Sequence, residues 1–361
     1  MPKDHTMTVH HLRASVAATA IAASLLLSAC SSTGSKASNA PGPIAPATTI
    51  APADVPASAS PGCTATPAVA AGAQKVDIIS GTDARYYLQH VPPAHNGTTP
   101  VPLVIDLHGY SEGAIIHERQ SALGPFGDVK GFVTITPQGQ GAVARWDTTL
   151  GGSDLAFLGQ VLDQAEATLC VDQSRIFVTG LSNGAFMTSA VACQFADRVA
   201  AAAPVAGIRD VEGCHLSRPV PVIAFHGTGD QFVPYDGGLG EAAAKLPAPD
   251  GSGKTLGEIG AVDPSQKGPT VPEITAAWAA RNGCQTTPTE STVTVDVTLI
   301  TFDCPAGAEV ELYRVTDGGH SWPGSEFSKK IVSIVGKTTD TISADELMWA
   351  FFQAHPMQPT S

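Results

Sequence analysis

Beyond about Gly62 the chain alternates two kinds of apolar pattern. Short β-branched runs, RYYLQHV, VPLVIDLHG, GFVTITPQ, RIFVTGLS, AAAAPVAG, PVPVIAFHG and EVELYRVTDGG, read as strands. Several are apolar at every position, which suits strands covered on both faces of a sheet. Between them lie longer segments with apolar residues every three or four positions. Over residues 153–169, Leu155, Leu158, Leu162, Ala165 and Leu169 recur at helical spacing and predict a helix with that stripe on the sheet. Ser343-Ala344-Asp345-Glu346 has the form of a capping box before LMWAFFQAH, and Pro356 stops that run. Strands alternating with helices in this way predict an α/β fold with a mostly parallel central sheet and helices on both faces.

The first 62 residues follow neither pattern. Lys3, His10, His11 and Arg13 precede AATAIAASLLLSAC, an apolar run too short to span a bilayer comfortably. It ends in Leu27-Ser28-Ala29-Cys30, which resembles a bacterial lipoprotein signal: residues 1–29 are removed and the sulfur of Cys30 receives lipid. The alternative is an ordinary secretory signal with an incidental cysteine, and both readings export the chain. Residues 30–62 are almost all Ala, Pro, Ser, Thr and Gly, with too few large apolar groups to offset the entropy of ordering them. They read as a flexible tether, leaving residues 63–361 as one catalytic-size domain.

Composition narrows the partners. The 361 residues are 43% hydrophobic, enough for one large core, and the formal net charge is −13. A nucleic-acid binder would need a basic surface to meet phosphates, so that class is excluded. The same charge disfavours adsorption to an anionic membrane, which leaves an N-terminal lipid anchor as the route to one. Apart from Cys30 there are six cysteines, Cys63, Cys170, Cys193, Cys214, Cys284 and Cys304. In an exported chain an even number points to disulfides, here three. No C-x-x-C or close Cys/His set favours a metal. Cys284 and Cys304 flank a strand and hairpin and are a reasonable pair; Cys193 with Cys214 and Cys63 with Cys170 then follow largely by elimination.

The candidate chemistry centres on Gly180-Leu181-Ser182-Asn183-Gly184. Glycine and serine are common in turns, so the five residues alone decide nothing. Their context does more: RIFVTGL is a strand and NGAFMTSAVACQFA a helix, which puts Ser182 on a strand-to-helix elbow. Such an elbow needs small residues at Gly180 and Gly184, and the helix start offers unpaired N–H groups to an oxyanion. A serine nucleophile requires a base and an orienting acid, in the order Ser, Asp or Glu, His. Asp230 follows the strand PVIAFHG, and His320 follows ELYRV, so both lie at strand ends in that order. His108 and His226, each before a glycine at a strand end, are the rival bases and read better as turn or packing residues. Asp317 reads as shaping the loop of His320, and Asp154 as a first-turn helix carboxylate. The oxyanion donors are assigned to the backbone amides of Asn183 and Tyr110.

The motifs LHGYSEG, DQSRIFVTGLSNGAFM, VAAAAPVAG, PVIAFHGTGDQFVPYDGG, AAWAARNGC and DGGHSWPG, in this order from about Gln74 to His355, resemble the secreted polyhydroxybutyrate depolymerase-like and feruloyl esterase family. The resemblance implies an α/β-hydrolase fold and hydrolysis of carboxylic esters through an acyl-enzyme, without metal or organic cofactor. It implies Ser182, Asp230 and His320 as the triad and Trp322 as a residue lining the substrate pocket. The implied substrates are small-molecule or polysaccharide-linked esters: hydroxycinnamate, acetyl-xylan or hydroxybutyrate esters. A serine peptidase using the same triad and a non-catalytic envelope lipoprotein are the rival classes. Residues 236–270, rich in Gly, Ala, Pro and acidic side chains, form either a loop over the cleft or a surface insertion.

Overall fold

A computed structural model describes residues 54–65 and 68–358. The signal expected over residues 1–29, Cys30 and the tether as far as residue 53 lie outside the described residues. Among the described residues there are ten strands: β1 (Gly72–Ser80), β2 (Asp83–Val91), β3 (Val101–Leu107), β4 (Val133–Pro137), β5 (Val171–Leu181), β6 (Ala201–Val205), β7 (Val222–Gly227), β8 (Thr289–Thr292), β9 (Val297–Thr301) and β10 (Val310–Val315). They form one sheet in the order β1-β2-β4-β3-β5-β6-β7-β10-β9-β8. Neighbours from β4 through β10 are parallel, whereas the pairings of β1, β2, β8 and β9 are antiparallel. All the apolar runs expected to be strands are strands. The central ones, β4, β6 and β7, are buried at every position, as two-sided cover demands. β8 (TEST) is exposed throughout, and its polar residues suit an unpaired sheet edge.

Among the described residues, nine α-helical segments connect or cover the strands: α1 (Ala114–Ser121), α2 (Leu123–Lys130), α3 (Ser153–Thr168), α4 (Asn183–Gln194), α5 (Glu241–Ala244), α6 (Val271–Arg281), α7 (Glu326–Lys330), α8 (Val332–Val335) and α9 (Ala344–Ala354). The predicted stripe of α3 is buried, joined by Phe157 and Val161. It shares one core with Met187 of α4 and Trp278 of α6. Trp349 and Phe352 of α9 pack with Phe132 and Phe177 in the core on the other side of the sheet. At the start of α9, Ser343 accepts the Glu346 amide, half of a capping box; the Glu346 carboxylate instead meets Lys130 at 2.8 Å. Asp154 sits in the first turn of α3 and also binds Arg85 at 2.6 Å, both side chains buried.

The expected tether ends earlier than composition suggests. Residues 54–62 lie against the start of β5: Ser60 Oγ donates to Leu169 O at 2.7 Å, Ser58 N to Asp172 Oδ1 at 2.8 Å, and Arg175 Nη2 to Val55 O at 2.8 Å. Docking here uses side-chain and backbone hydrogen bonds to a distant segment, with Val55 the one large apolar side chain buried, and a composition argument does not count such hydrogen bonds. The structure pairs Cys63 with Cys170, Cys193 with Cys214 and Cys284 with Cys304. The first bridge fastens this N-terminal segment to the residue preceding β5.

Candidate active site

Ser182 is the residue between β5 and α4, with φ 58° and ψ −120°. A non-glycine residue there carries roughly 1–3 kcal/mol of strain, sustained only where the surroundings over-determine it. The surroundings are tight. A Cβ on Gly184 would fall 1.9 Å from Leu107 O, and one on Gly180 would fall 2.5 Å from the same oxygen. The two glycines therefore let β5 and α4 press against the end of β3, and Ser182 takes the strained turn between them. Its amide donates to Val205 O of the neighbouring strand at 3.0 Å.

Asp230 and His320 come from loops after β7 and β10, strands that are hydrogen-bonded neighbours. His320 Nδ1 donates to Asp230 Oδ2 at 2.7 Å. Asp230 Oδ1 accepts the amides of Phe232 and Val233 at 2.8 and 2.9 Å. Burial alone would raise the Asp230 pKa; the charge and hydrogen bond of His320, with His226 nearby, outweigh it and hold the carboxyl below its usual range. With Nδ1 committed to Asp230, His320 presents its remaining ring nitrogen to the cleft that Ser182 also lines. No hydrogen bond joins Ser182 Oγ to His320 here, a spacing that often tightens only with substrate bound. Phe232 stacks on the imidazole at 4.8 Å between centroids. Glycine is obligatory just before His320, since a Cβ on Gly319 would meet Val335 O at 2.1 Å.

Tyr110 lies in the loop after β3, beside the serine: a Cβ on Gly109 would be 3.6 Å from Ser182 Cβ. Among the described residues, neither the Tyr110 nor the Asn183 amide donates to a protein acceptor. The Asn183 amide, next in sequence to Ser182, and the Tyr110 amide, in the loop beside it, are thus both free of protein acceptors. The Asn183 side chain is engaged elsewhere, accepting Trp146 N at 2.7 Å and donating to Trp146 O at 3.2 Å. The cleft is about 330 Å³ and is lined by Ile116, Leu181, Phe232, Leu246, Phe327 and Ile331 beside the polar groups. Leu246 brings part of residues 236–270 to the cleft, and Pro247 O accepts the Tyr110 hydroxyl at 2.9 Å.

The rival residues are engaged in other hydrogen bonds. His108 is buried; its Nδ1 donates to Gly109 O at 2.7 Å and its Nε2 accepts Gly139 N at 2.8 Å. Burial pushes its pKa down to about 4, so it stays neutral and ties two loops together. His226 donates to Val233 O at 2.8 Å and stands behind Asp230. The Asp317 amide bonds Thr228 Oγ1, so that residue shapes the loop. Trp322 corrects the expectation from resemblance. It is fully buried, donates Nε1 to Asp345 Oδ1 at 2.8 Å and packs edge-on to His117, so it supports the loop from beneath instead of lining the cleft. Three residues are not marked by the sequence: the buried Asp106 and His117, and the half-buried Glu112 at the cleft wall, with His117 hydrogen-bonded to both carboxylates. His117 stands in no motif, and nothing in IIHERQS marks it. Among the described residues, no group of three or more His, Cys, Asp or Glu side chains could hold a metal ion.

Comparison with known proteins agrees with this architecture. Residues 143–220, which include the elbow, match the prolyl oligopeptidase family. A bifunctional acetylxylan esterase/xylanase of Neocallimastix patriciarum is 30% identical over 40% of this chain and 22% of its own length. Feruloyl esterase B of Piromyces equi is 29% identical over 64% of this chain and 41% of its own. The chain therefore spans well under half the length of these two relatives. An acetyl xylan esterase from Aspergillus awamori superposes with a TM-score of 0.50 at 15% identity, over 72% of this chain and 98% of that one, which establishes the shared fold. The chain thus has the α/β-hydrolase fold and, over part of its length, is similar in sequence to feruloyl and acetylxylan esterases.

Proposed function

We propose that the chain is an exported serine esterase that cleaves carboxylic esters through an acyl-enzyme. The observation that carries this reading is the 2.7 Å Asp230–His320 hydrogen bond at a cleft that also holds Ser182 on its strained elbow. His320 takes the Ser182 proton while Asp230 holds the opposite ring nitrogen and stabilises the imidazolium. Ser182 Oγ attacks the ester carbonyl, and the oxyanion meets the Asn183 and Tyr110 amides. Collapse expels the alkoxide, which takes the proton from His320. Water then repeats the steps and frees the acid.

The lining supports an apolar acyl group of some bulk. Ile116 and Ile334 line the cleft yet remain 43% and 64% exposed, large apolar walls without protein cover. Together with relatives named as feruloyl and acetylxylan esterases, this favours a hydroxycinnamoyl ester of carbohydrate over an acetyl one. With purified residues 54–361, methyl ferulate is expected to turn over faster than acetylated sugars or hydroxybutyrate oligomers; a preference for acetate would overturn the acyl assignment. Ser182→Ala is expected to abolish ester turnover and labelling by a fluorophosphonate, and retained wild-type turnover would sink the mechanism. The match of the elbow region to the prolyl oligopeptidase family favours a second reading, peptide hydrolysis. A matched ester and amide of one acyl group separates the two, and the esterase reading expects only the ester to be cleaved at an appreciable rate.

Export and anchoring belong to the same proposal. Three disulfides suit an oxidising compartment. Lipid on Cys30 would hold the domain to a membrane, and Cys30→Ser is expected to release it into the soluble fraction.

A further inference from the structure

From the wall of the catalytic cleft inward runs a second set of ionisable groups that the acyl-transfer steps do not use. Asp106 of β3 and His117 of α1 are completely buried. His117 Nε2 donates to Asp106 Oδ1 at 2.7 Å, and Ser121 Oγ donates to Asp106 Oδ2 at 2.6 Å. The other ring nitrogen donates to Glu112 Oε2 at 3.2 Å. That Glu112 oxygen also accepts the Gly109 amide at 2.7 Å, while Oε1 is buried with no partner. Burial alone would lower the His117 pKa, but the flanking carboxylates outweigh it and hold the ring protonated up to about 10. Burial would raise that of Glu112; His117 and the Gly109 amide outweigh it, so the carboxylate stays ionised.

Burying such ions is costly, several kcal/mol each before pairing, and an unpartnered oxygen adds about 1–3 kcal/mol. Apolar side chains would fill this space more stably, yet they could not grip an amide. The grip has a consequence for the neighbouring peptide. Gly109 C=O and Tyr110 N–H belong to one planar trans unit and point in opposite directions. Gly109 O accepts His108 Nδ1 at 2.7 Å and the Glu112 amide at 3.3 Å, and Gly109 N is held by the Glu112 carboxylate. Glu112 therefore closes the 109–112 turn through both its backbone and its side chain, and the turn sets the direction of the Tyr110 N–H.

We propose that Glu112, fixed by His117 and Asp106, is a positioning residue that aims the Tyr110 amide at the developing oxyanion. The inference rests on Ser182 being the nucleophile. It is tested in residues 54–361 by Glu112→Ala and Glu112→Gln, reading kcat and KM on a soluble ester and the affinity of a reversible boronic acid that forms a tetrahedral adduct with the serine. Glu112→Ala is expected to lower kcat about ten- to hundredfold with KM within about twofold, and to weaken the boronic acid by the same factor. Glu112→Gln keeps an oxygen for the Gly109 amide and is expected to recover a large part of the loss; it also serves if the alanine variant does not fold. Unchanged kcat in both variants, or a fall in melting temperature with kcat and boronic acid affinity intact, overturns the proposal. Ser182→Ala run alongside separates the two levels: if it retains turnover, the ester mechanism itself fails, whereas if it is inactive and Glu112→Ala is not, only the positioning role fails.

Discussion

Among the described residues, two buried Asp–His pairs are joined by hydrogen bonds of the same length. His320 donates to Asp230 at 2.7 Å, and His117 donates to Asp106 at 2.7 Å. Each aspartate lies in or just beyond the end of a parallel strand, and each takes further donors: two backbone amides at Asp230, the Ser121 hydroxyl at Asp106. What separates the pairs is the second ring nitrogen. That of His320 opens on a cleft shared with Ser182; that of His117 is closed by Glu112. A general base needs a neutral ring with one nitrogen free to take a proton. A ring held between two carboxylates carries both protons and can take none. The aspartate therefore orients either histidine, and the group on the far side decides whether the ring is a base or a structural cation.

The largest effect expected from breaking this contrast is at the two histidines themselves. His320→Ala is expected to lower kcat/KM by about 10⁴-fold or more with the melting temperature little changed. His117→Ala should act mainly on stability, losing about 3–5 kcal/mol because it strands two carboxylates, with a fall in kcat no larger than that of Glu112→Ala. Denaturant titration alongside ester kinetics reads both; comparable activity losses in the two variants would erase the distinction. Next come the acids. Asp230→Asn removes the acceptor that fixes the His320 tautomer and is expected to cost about 10⁴ in kcat. Asp106→Asn, which touches no group in the transfer, should cost less than about tenfold.

A smaller effect is visible in pH. The His117 ring keeps its proton up to about 10 in the folded chain, whereas an unfolded histidine releases it near about 6.5. The folded state binds the extra proton between those values, so this stabilisation is full below the lower value and is lost as pH rises through the upper one. Asp345, pushed up to about 7 by burial, titrates mostly below a window of pH 7.5 to 10. Across that window the melting temperature of the wild type is expected to fall more steeply than that of His117→Gln; parallel slopes would mean the ring is not charged. The smallest effect belongs to Trp322→Phe, which loses the hydrogen bond to Asp345 and is expected to cost about 1–2 kcal/mol of stability while KM stays within twofold. A large rise in KM would restore Trp322 to the cleft.

The division between sequence and tertiary structure follows the range of the forces involved. Strands β2 to β7 and β10, helix α3 and the elbow were legible because apolar periodicity and turn sterics act over a few residues. Gly180 and Gly184 belong to this class, as does the chain order of Ser182, Asp230 and His320. Only the fold could decide which side of its loop Trp322 occupies, since a one-residue change of direction exchanges cleft for core. Only the fold could dock residues 54–62, because Ser60 finds Leu169 across 109 positions of chain. The same holds for Glu112 and His117. Their sequence is that of an ordinary loop and a polar helix, with a low apolar content in α1. They become a buried ion set only because β3 places Asp106 beneath them. A local pattern determines which residues are available for chemistry; burial and the second partner of each ionisable group, which depend on distant segments meeting, determine which of them is free to perform it.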